Sequence, residues 1–218
     1  MKILTTVAGL ELLGAGYQYS TRLLAAGGIV NGRISGDLVV QGSGDPNISG
    51  RFYEDDPLAV FTSWAKHLKK LGLREVSGNL IADDSFFDNV RFLDGWNPKD
   101  RGKWFSAQIS PLSLNDNCVE IRVVPAAVGR PARVSVFPPN PFVSISGAPK
   151  TVSGKRVVVV VNNSTEGNRI TVRGTIGASA GTWRGHLPVD DPALFFAHTF
   201  ATVRNNSRRW VPSVAAAC

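Results

Sequence analysis

Short apolar runs, each closed by glycine, proline or asparagine, fill the second half of the chain at residues 119–124, 134–137, 143–145, 156–162, 169–173 and 182–187. Runs this short between turn-forming residues read as β-strands joined by tight turns, so the second half is expected to be mostly β. Similar punctuation governs residues 18–49. There Asn31-Gly32, a strong hairpin dipeptide, sits between Val30 and Arg33-Ile34, and the segment reads as a β-meander. Gly42-Ser43-Gly44-Asp45-Pro46-Asn47 closes it with a rigid turn, because proline fixes its own φ and glycine allows positive φ.

Three helices interrupt this pattern. After Asp56-Pro57, the residues Leu58, Phe61, Ala65, Leu68 and Leu71 recur at helical spacing, so a helix is expected over 56–73. Asp190-Asp191-Pro192 begins a second, with a capping carboxylate and a first-turn proline ahead of Ala193 to Phe200. The third covers 2–14, where Ile3, Val7, Leu10 and Leu13 repeat at helical intervals until Gly14 stops them. Met1-Lys2 ahead of apolar residues imitates a secretory leader, but Glu11 inside the apolar stretch argues against one. This helix has no preceding cap, as though the sequence starts inside a domain. Gly78 to Asp84 reads as a strand running into an acidic turn, making residues 50–112 a small α/β unit.

Composition limits the remaining classes. With 218 residues, 43% hydrophobic and 19% charged, the chain falls among soluble globular domains, as one large domain or two to three small ones. Its longest aliphatic run, 157–161, is far short of the roughly 18–20 apolar residues that span a bilayer. The surplus of +7 is spread along the chain, and its densest patch, Arg204 to Arg209, lacks interleaved stacking aromatics. Nucleic acid is therefore not an expected partner. Cys118 and Cys218 are not needed as a staple at this size.

Several motifs imitate catalytic ones. His67, His186 and His198 fall in three different elements without metal-ligand spacing, so no metal is expected, nor any other cofactor. Residues 147–156 resemble a phosphate loop with the wrong glycine spacing, and Arg156 stands where Ser or Thr is needed; a hairpin turn is expected instead. Ser63-Trp64-Ala65-Lys66 has nucleophile-and-base spacing, yet both polar groups project from the face opposite Phe61, Ala65 and Leu68. An exposed lysine stays protonated and cannot act as a base. Ser113-Leu114-Asn115 is expected to be a turn held by Ser, Asn and Asp side chains. The adjacent pairs Asp55-Asp56, Asp83-Asp84 and Asp190-Asp191 are expected to cap turns and helices rather than to flank a scissile bond.

Ordered blocks then carry a resemblance. Lys2 to Gly14, Tyr19 and Thr21, Gly32-Arg33-Ile34-Ser35-Gly36-Asp37-Leu38 and Gly42-Ser43-Gly44-Asp45-Pro46 are similar to the D-alanyl-D-alanine carboxypeptidase/endopeptidase family. These are low-molecular-mass penicillin-binding proteins with domains inserted between their catalytic motifs. Gly78 to Phe87, Gly95-Trp96, Phe105-Ser106-Ala107 and Ser113 to Asn117 keep the family's order, and the similarity runs from residue 2 to about 200.

The resemblance implies an α+β fold, with helices of a partial transpeptidase (β-lactamase-like) domain flanking a β-rich domain that carries an inserted small α/β domain. The implied division is 1–17 (partial transpeptidase-like), 18–49 with 113–189 (β-rich), 50–112 (inserted α/β) and 190–218 (partial return and an aberrant tail). Lys2 aligns with the lysine of the family's Ser-x-x-Lys motif, the proton acceptor in acylation. Its serine would then precede Met1, and the Ser-x-Asn and Lys-Thr-Gly motifs would follow the last residue, a fragment truncated at both ends and inactive alone. The full-length relative would hydrolyse peptidoglycan stem peptides through an acyl-enzyme, bind β-lactams and sit in the periplasm or otherwise outside the cytoplasm. Substrate-binding residues and oligomeric state are not implied. The rival reading is a non-catalytic β-rich module that binds cell wall or a protein partner. On the fragment reading, Ile3, Val7, Leu10, Phe195 and Phe196 are expected to be exposed apolar residues.

Overall fold

The computed structural model describes residues 2–163, 167–205 and 214–216. Its α-helices are α1 (Lys2–Leu13), α2 (Ala59–Lys70) and α3 (Pro192–Asn205). The first sheet runs in the order β1 (Arg22–Ala25), β3 (Leu38–Gln41), β5 (Leu80–Asp83) and β13 (Val214–Ala216). β1 and β3 are antiparallel, whereas β3, β5 and β13 are mutually parallel. A parallel pair needs a crossover connection, and α2 supplies it between β3 and β5. A short parallel pair, β2 (Arg33–Ile34) with β4 (Glu75–Val76), lies beside it.

This corrects the meander expected over 18–49. Asn31-Gly32 does turn the chain tightly, with Asn31 and Gly32 at φ 52 and 81 and Val30 and Arg33 exchanging two 2.9 Å backbone hydrogen bonds. The strands leaving that turn nevertheless pair with 75–76 and 80–83, so one sheet draws strands from both sides of the expected boundary at residue 50. Buried Leu38, Val40, Leu80 and Ala82 on neighbouring strands drive that pairing.

α2 begins where Asp56 Oδ1 accepts the Leu58 N–H at 2.8 Å. It ends in paired closing bonds, Leu73 N–H to Leu68 O and Gly72 N–H to Lys69 O, both 3.0 Å, with Gly72 at φ +85. That left-handed stop favours glycine, and the basic residues of the last turn, Lys69 and Lys70, suit the helix dipole. Phe61 of α2 meets Phe196 of α3 edge-on at 4.8 Å between centroids and Phe200 at 5.4 Å, while Trp64 packs against both. Phe195 and Phe196 are both 0% exposed, and their expected exposure is overturned. By contrast Ile3, Val7 and Leu10 are 78%, 50% and 53% exposed, and α1 has no buried residue.

The β-rich part has two sheets. One is antiparallel, in the order β12 (Trp183–Pro188), β6 (Cys118–Val124), β7 (Arg133–Phe137). In the other, β11 (Arg169–Gly177) pairs antiparallel with β10 (Val157–Asn163) and parallel with β8 (Ser144–Ser146) and β9 (Lys150–Val152). β9 replaces part of the hairpin turn expected at 147–156; it and β10 flank β11 instead of pairing with each other. Val214–Ala216, expected as part of an aberrant tail, forms β13. The basic tail lies from residue 206 to 213 outside the described residues.

Candidate functional site

Lys2 opens α1 and is exposed, and Thr6 Oγ1 donates to its carbonyl at 3.0 Å. Nothing among the described residues encloses the helix on which it stands. Ser63 and Lys66 are both exposed on α2, on the side away from buried Phe61 and Leu68.

Ser113, Asn115 and Asn117 sit in a turn, as expected. Asn115, Asp116 and Asn117 adopt φ 54, 58 and 55, a run of left-handed residues that is costly without glycine. Side chains hold it. Asn117 Oδ1 accepts the Leu114 N–H at 3.2 Å, and its Nδ2 donates to Gln108 O at 3.0 Å and Ser113 Oγ at 3.2 Å. Asn115 Oδ1 accepts from Gly50 N at 3.2 Å and Ser49 Oγ at 3.3 Å. Asp116 is paired with Arg51. Ser113 Oγ also donates to Ser110 O at 3.0 Å, so its hydroxyl is engaged in the turn.

One carboxylate of each acidic pair, Asp56, Asp83 and Asp191, caps a turn or a helix start. Asp83 Oδ1 accepts Ser85 Oγ at 2.6 Å and Ser85 N at 3.0 Å; the Ser85 hydroxyl contributes most to holding this carboxyl below its ordinary value. Asp84 pairs with Arg91. Asp191 Oδ1 accepts the Leu194 N–H at 3.0 Å at the start of α3. The three histidines lie apart, and the described residues hold no cluster of His, Cys, Asp or Glu fit for a metal. His198 stacks on Phe142 at 5.0 Å and 18°, and burial lowers its pKa, with Asp191 opposing. Burial likewise pushes the Cys118 thiol up to about 12, which removes it as a nucleophile.

Two concave regions stand out. The smaller, about 160 Å³, lies between Phe92, Arg101 and Asp190. The larger, about 700 Å³, was not anticipated. Its floor follows from strand alternation: Val119, Ile121 and Val123 are buried, which turns Glu120 and Arg122 to the opposite face. In register, His186 and Phe137 flank Glu120, and Arg184 flanks Arg122. Glu120 Oε1 accepts from Arg122 Nε and, at 2.7 Å, from Arg184, while His186 Nε2 is 3.7 Å from Oε2. Burial alone would raise the Glu120 pKa, but the Arg122 and Arg184 contacts outweigh it and hold it low. The Arg122 guanidinium lies 3.7 Å above the Phe137 ring centroid. The signal for this floor was present in the alternation of Cys118–Val124 and in the strand expected at 182–187, though the pairing of the two was not.

Comparison with known proteins joins these features to a family. The model of the D-Ala-D-Ala carboxypeptidase 3 (S13) family matches residues 1–207, slightly farther than the motif blocks reach. A D-alanyl-D-alanine carboxypeptidase from Actinomadura sp. is 32% identical over 207 residues, covering 92% of this chain and 37% of the relative. The D-alanyl-D-alanine carboxypeptidase DacB of Haemophilus influenzae is 31% identical over 118 residues, covering 54% of this chain and 23% of the relative. The crystal structure of penicillin binding protein 4 (dacB) from Haemophilus influenzae is similar in fold, with a TM-score of 0.77 at 22% identity, over 99% of this chain and 46% of that one. The same protein complexed with a β-lactam gives 0.67 at 19% identity, over 99% and 44%. The chain thus spans less than half the length of each of these relatives. No described helix is long and apolar enough to cross a membrane.

Proposed function

This chain belongs to the D-Ala-D-Ala carboxypeptidase 3 (S13) family, and from that premise we propose that it forms part of a serine hydrolase acting outside the cytoplasm on the D-Ala-D-Ala ends of peptidoglycan stem peptides. Lys2 is the proton acceptor of this proposal. A serine three residues before it would lie one helical turn away, where the amine can take the hydroxyl proton as the serine attacks the carbonyl. The acyl-enzyme formed is then hydrolysed by water, and a β-lactam, bound by the family neighbour, would trap the same serine. α1 would be contributed to a transpeptidase-like domain and residues 113–189 to a β-rich insertion, while 18–49 group with 50–112 through the shared sheet, against which α3 also packs.

The observation that carries the reading is the family match along nearly the whole chain together with a lysine in the first turn of α1. Alone, these 218 residues are proposed to be inactive, because Ser63 and Lys66 stand on the open, exposed face of α2 and Ser113 is tied into its turn. A chimera that supplies the remaining domain from a relative, with serine three residues before Lys2, is expected to form a penicillin adduct. Lys2→Met should slow that acylation by about 10²-fold or more. An unchanged rate would overturn the role given to Lys2.

A further inference from the structure

The cleft of about 700 Å³ lies on the polar face of the β12-β6-β7 sheet and is used by nothing in the proposed acylation chemistry. Its volume falls within the roughly 300–1,000 Å³ of clefts that take drug-sized ligands. Its lining sets the ligand class. Arg51, Arg122 and Arg184 face Asp55, Asp116 and Glu120, three cations against three carboxylates. Arg51 is paired with Asp116, and Arg122 and Arg184 both donate to Glu120, so every arginine of the lining is held by one of its carboxylates, and Asp55 brings the count of opposite charges level. A cleft balanced in this way has no net field to select an anion or a cation.

Its supply of hydrogen-bonding groups is nonetheless large. A guanidinium carries five N–H donors, and each of the three arginines donates a hydrogen bond to a carboxylate. An ionised carboxylate offers about four lone-pair sites, so acceptors remain on Asp116 and Glu120. Trp104, 55% exposed, stands at the rim, and Phe137 lies on the floor beneath Arg122. Planar donors and planar acceptors side by side, with an aromatic surface for C–H groups, match a ligand whose every polar group both donates and accepts. That is the chemistry of sugar hydroxyls.

We propose that the cleft between residues 49–57, the Asn115–Asn117 turn and the outer face of β6 and β12 binds a neutral oligosaccharide. The Trp104 ring takes a sugar face, and Arg184, Arg122 and Glu120 bond its hydroxyls. The site is preorganised: the arginines on its floor are held by Glu120, and its wall is pinned by the Arg51–Asp116 pair and the Asn115 bonds to Ser49 and Gly50. This inference stands on the cleft and does not depend on the acyl-transfer reading.

The test is titration of the ¹⁵N-labelled 218-residue chain with N,N′-diacetylchitobiose, followed by amide and indole resonances. The expected result is saturable shifts at the Trp104 indole and at the amides of Gly50, Arg184 and His186. Trp104→Ala is expected to weaken binding at least about ten-fold, which is ~1.4 kcal/mol; Arg184→Gln is expected to weaken it too with the fold spectrum unchanged. Absence of shifts at tens of millimolar disaccharide, shifts that map elsewhere, or equal shifts with inorganic phosphate or acetate would overturn the proposal. Penicillin acylation is read in a separate experiment, so failure of one does not mimic failure of the other.

Discussion

α1 and α3 are both apolar helices, and they meet opposite fates. α3 buries Phe195, Phe196, Phe200 and Ala197 completely, whereas α1 buries no side chain although Ile3, Leu4, Val7, Leu10, Leu12 and Leu13 are all large and apolar. Composition does not separate them; a partner does. α3 meets Phe61 and Trp64 of α2 and lies against β5 and β13, and Asn140 adds polar contacts to Thr199 and Phe195 O. For α1 the described residues offer no equivalent surface. Hydrophobic stabilisation comes from area removed from water, so the same residue types stabilise α3 and contribute little in α1.

The sharpest way to break this contrast is to truncate one of the fully buried rings of α3. Phe196→Ala is expected to cost about 3–5 kcal/mol in urea or thermal unfolding. Phe61→Ala should cost a similar amount, and because the two rings touch, the double variant should fall short of the sum by about 0.5–3 kcal/mol. Full additivity would mean that the edge-on contact does not couple them. Next in size is the cap of α3: Asp191→Ala should cost about 1 kcal/mol, since the Leu194 N–H loses its acceptor.

His198 sharpens the comparison through pH. Burial holds its folded-state pKa below the ordinary 6.5, so just below pH 6.5 the unfolded chain binds more protons than the folded one. Its contribution to stability is full above that value and is lost as pH falls through the folded pKa. His198→Leu should flatten that part of the stability profile; a profile identical to the parent chain's would contradict the assignment. Glu120 has the same sign at lower pH: its depressed pKa contributes stability above about 4.5 that is lost on further acidification. The smallest effect is expected in α1, where Leu10→Ala should change unfolding by no more than about 0.5 kcal/mol. A larger cost would show that α1 is covered in solution.

Local features were the legible ones. The Phe61, Ala65, Leu68 stripe, the Asp191-Pro192 helix start, the Asn31-Gly32 turn and the alternation of Cys118–Val124 each act within a few residues, and each is found where the sequence put it. Burial of Phe196 was missed because the rings that pack on it come from a distant helix, and burial of Phe195 because it too needs contacts beyond its own helix. β9 was missed because three strand residues between Pro149 and Gly154 lack a readable period. The charged cleft was half legible: alternation turned Glu120 and Arg122 outward, but only strand register brings Arg184 and His186 beside them. Lys2 stands out by resemblance alone, since no local signal distinguishes it from any other exposed lysine.

The reading proposed above gives the family's lysine to Lys2 and no working acylation centre to these 218 residues by themselves. Intact-mass spectrometry of the 218-residue chain after incubation with a penicillin tests it most directly, with peptide mapping of any adduct. The account predicts the unmodified mass. A stoichiometric adduct, mapped to Ser63 or Ser113, would contradict it.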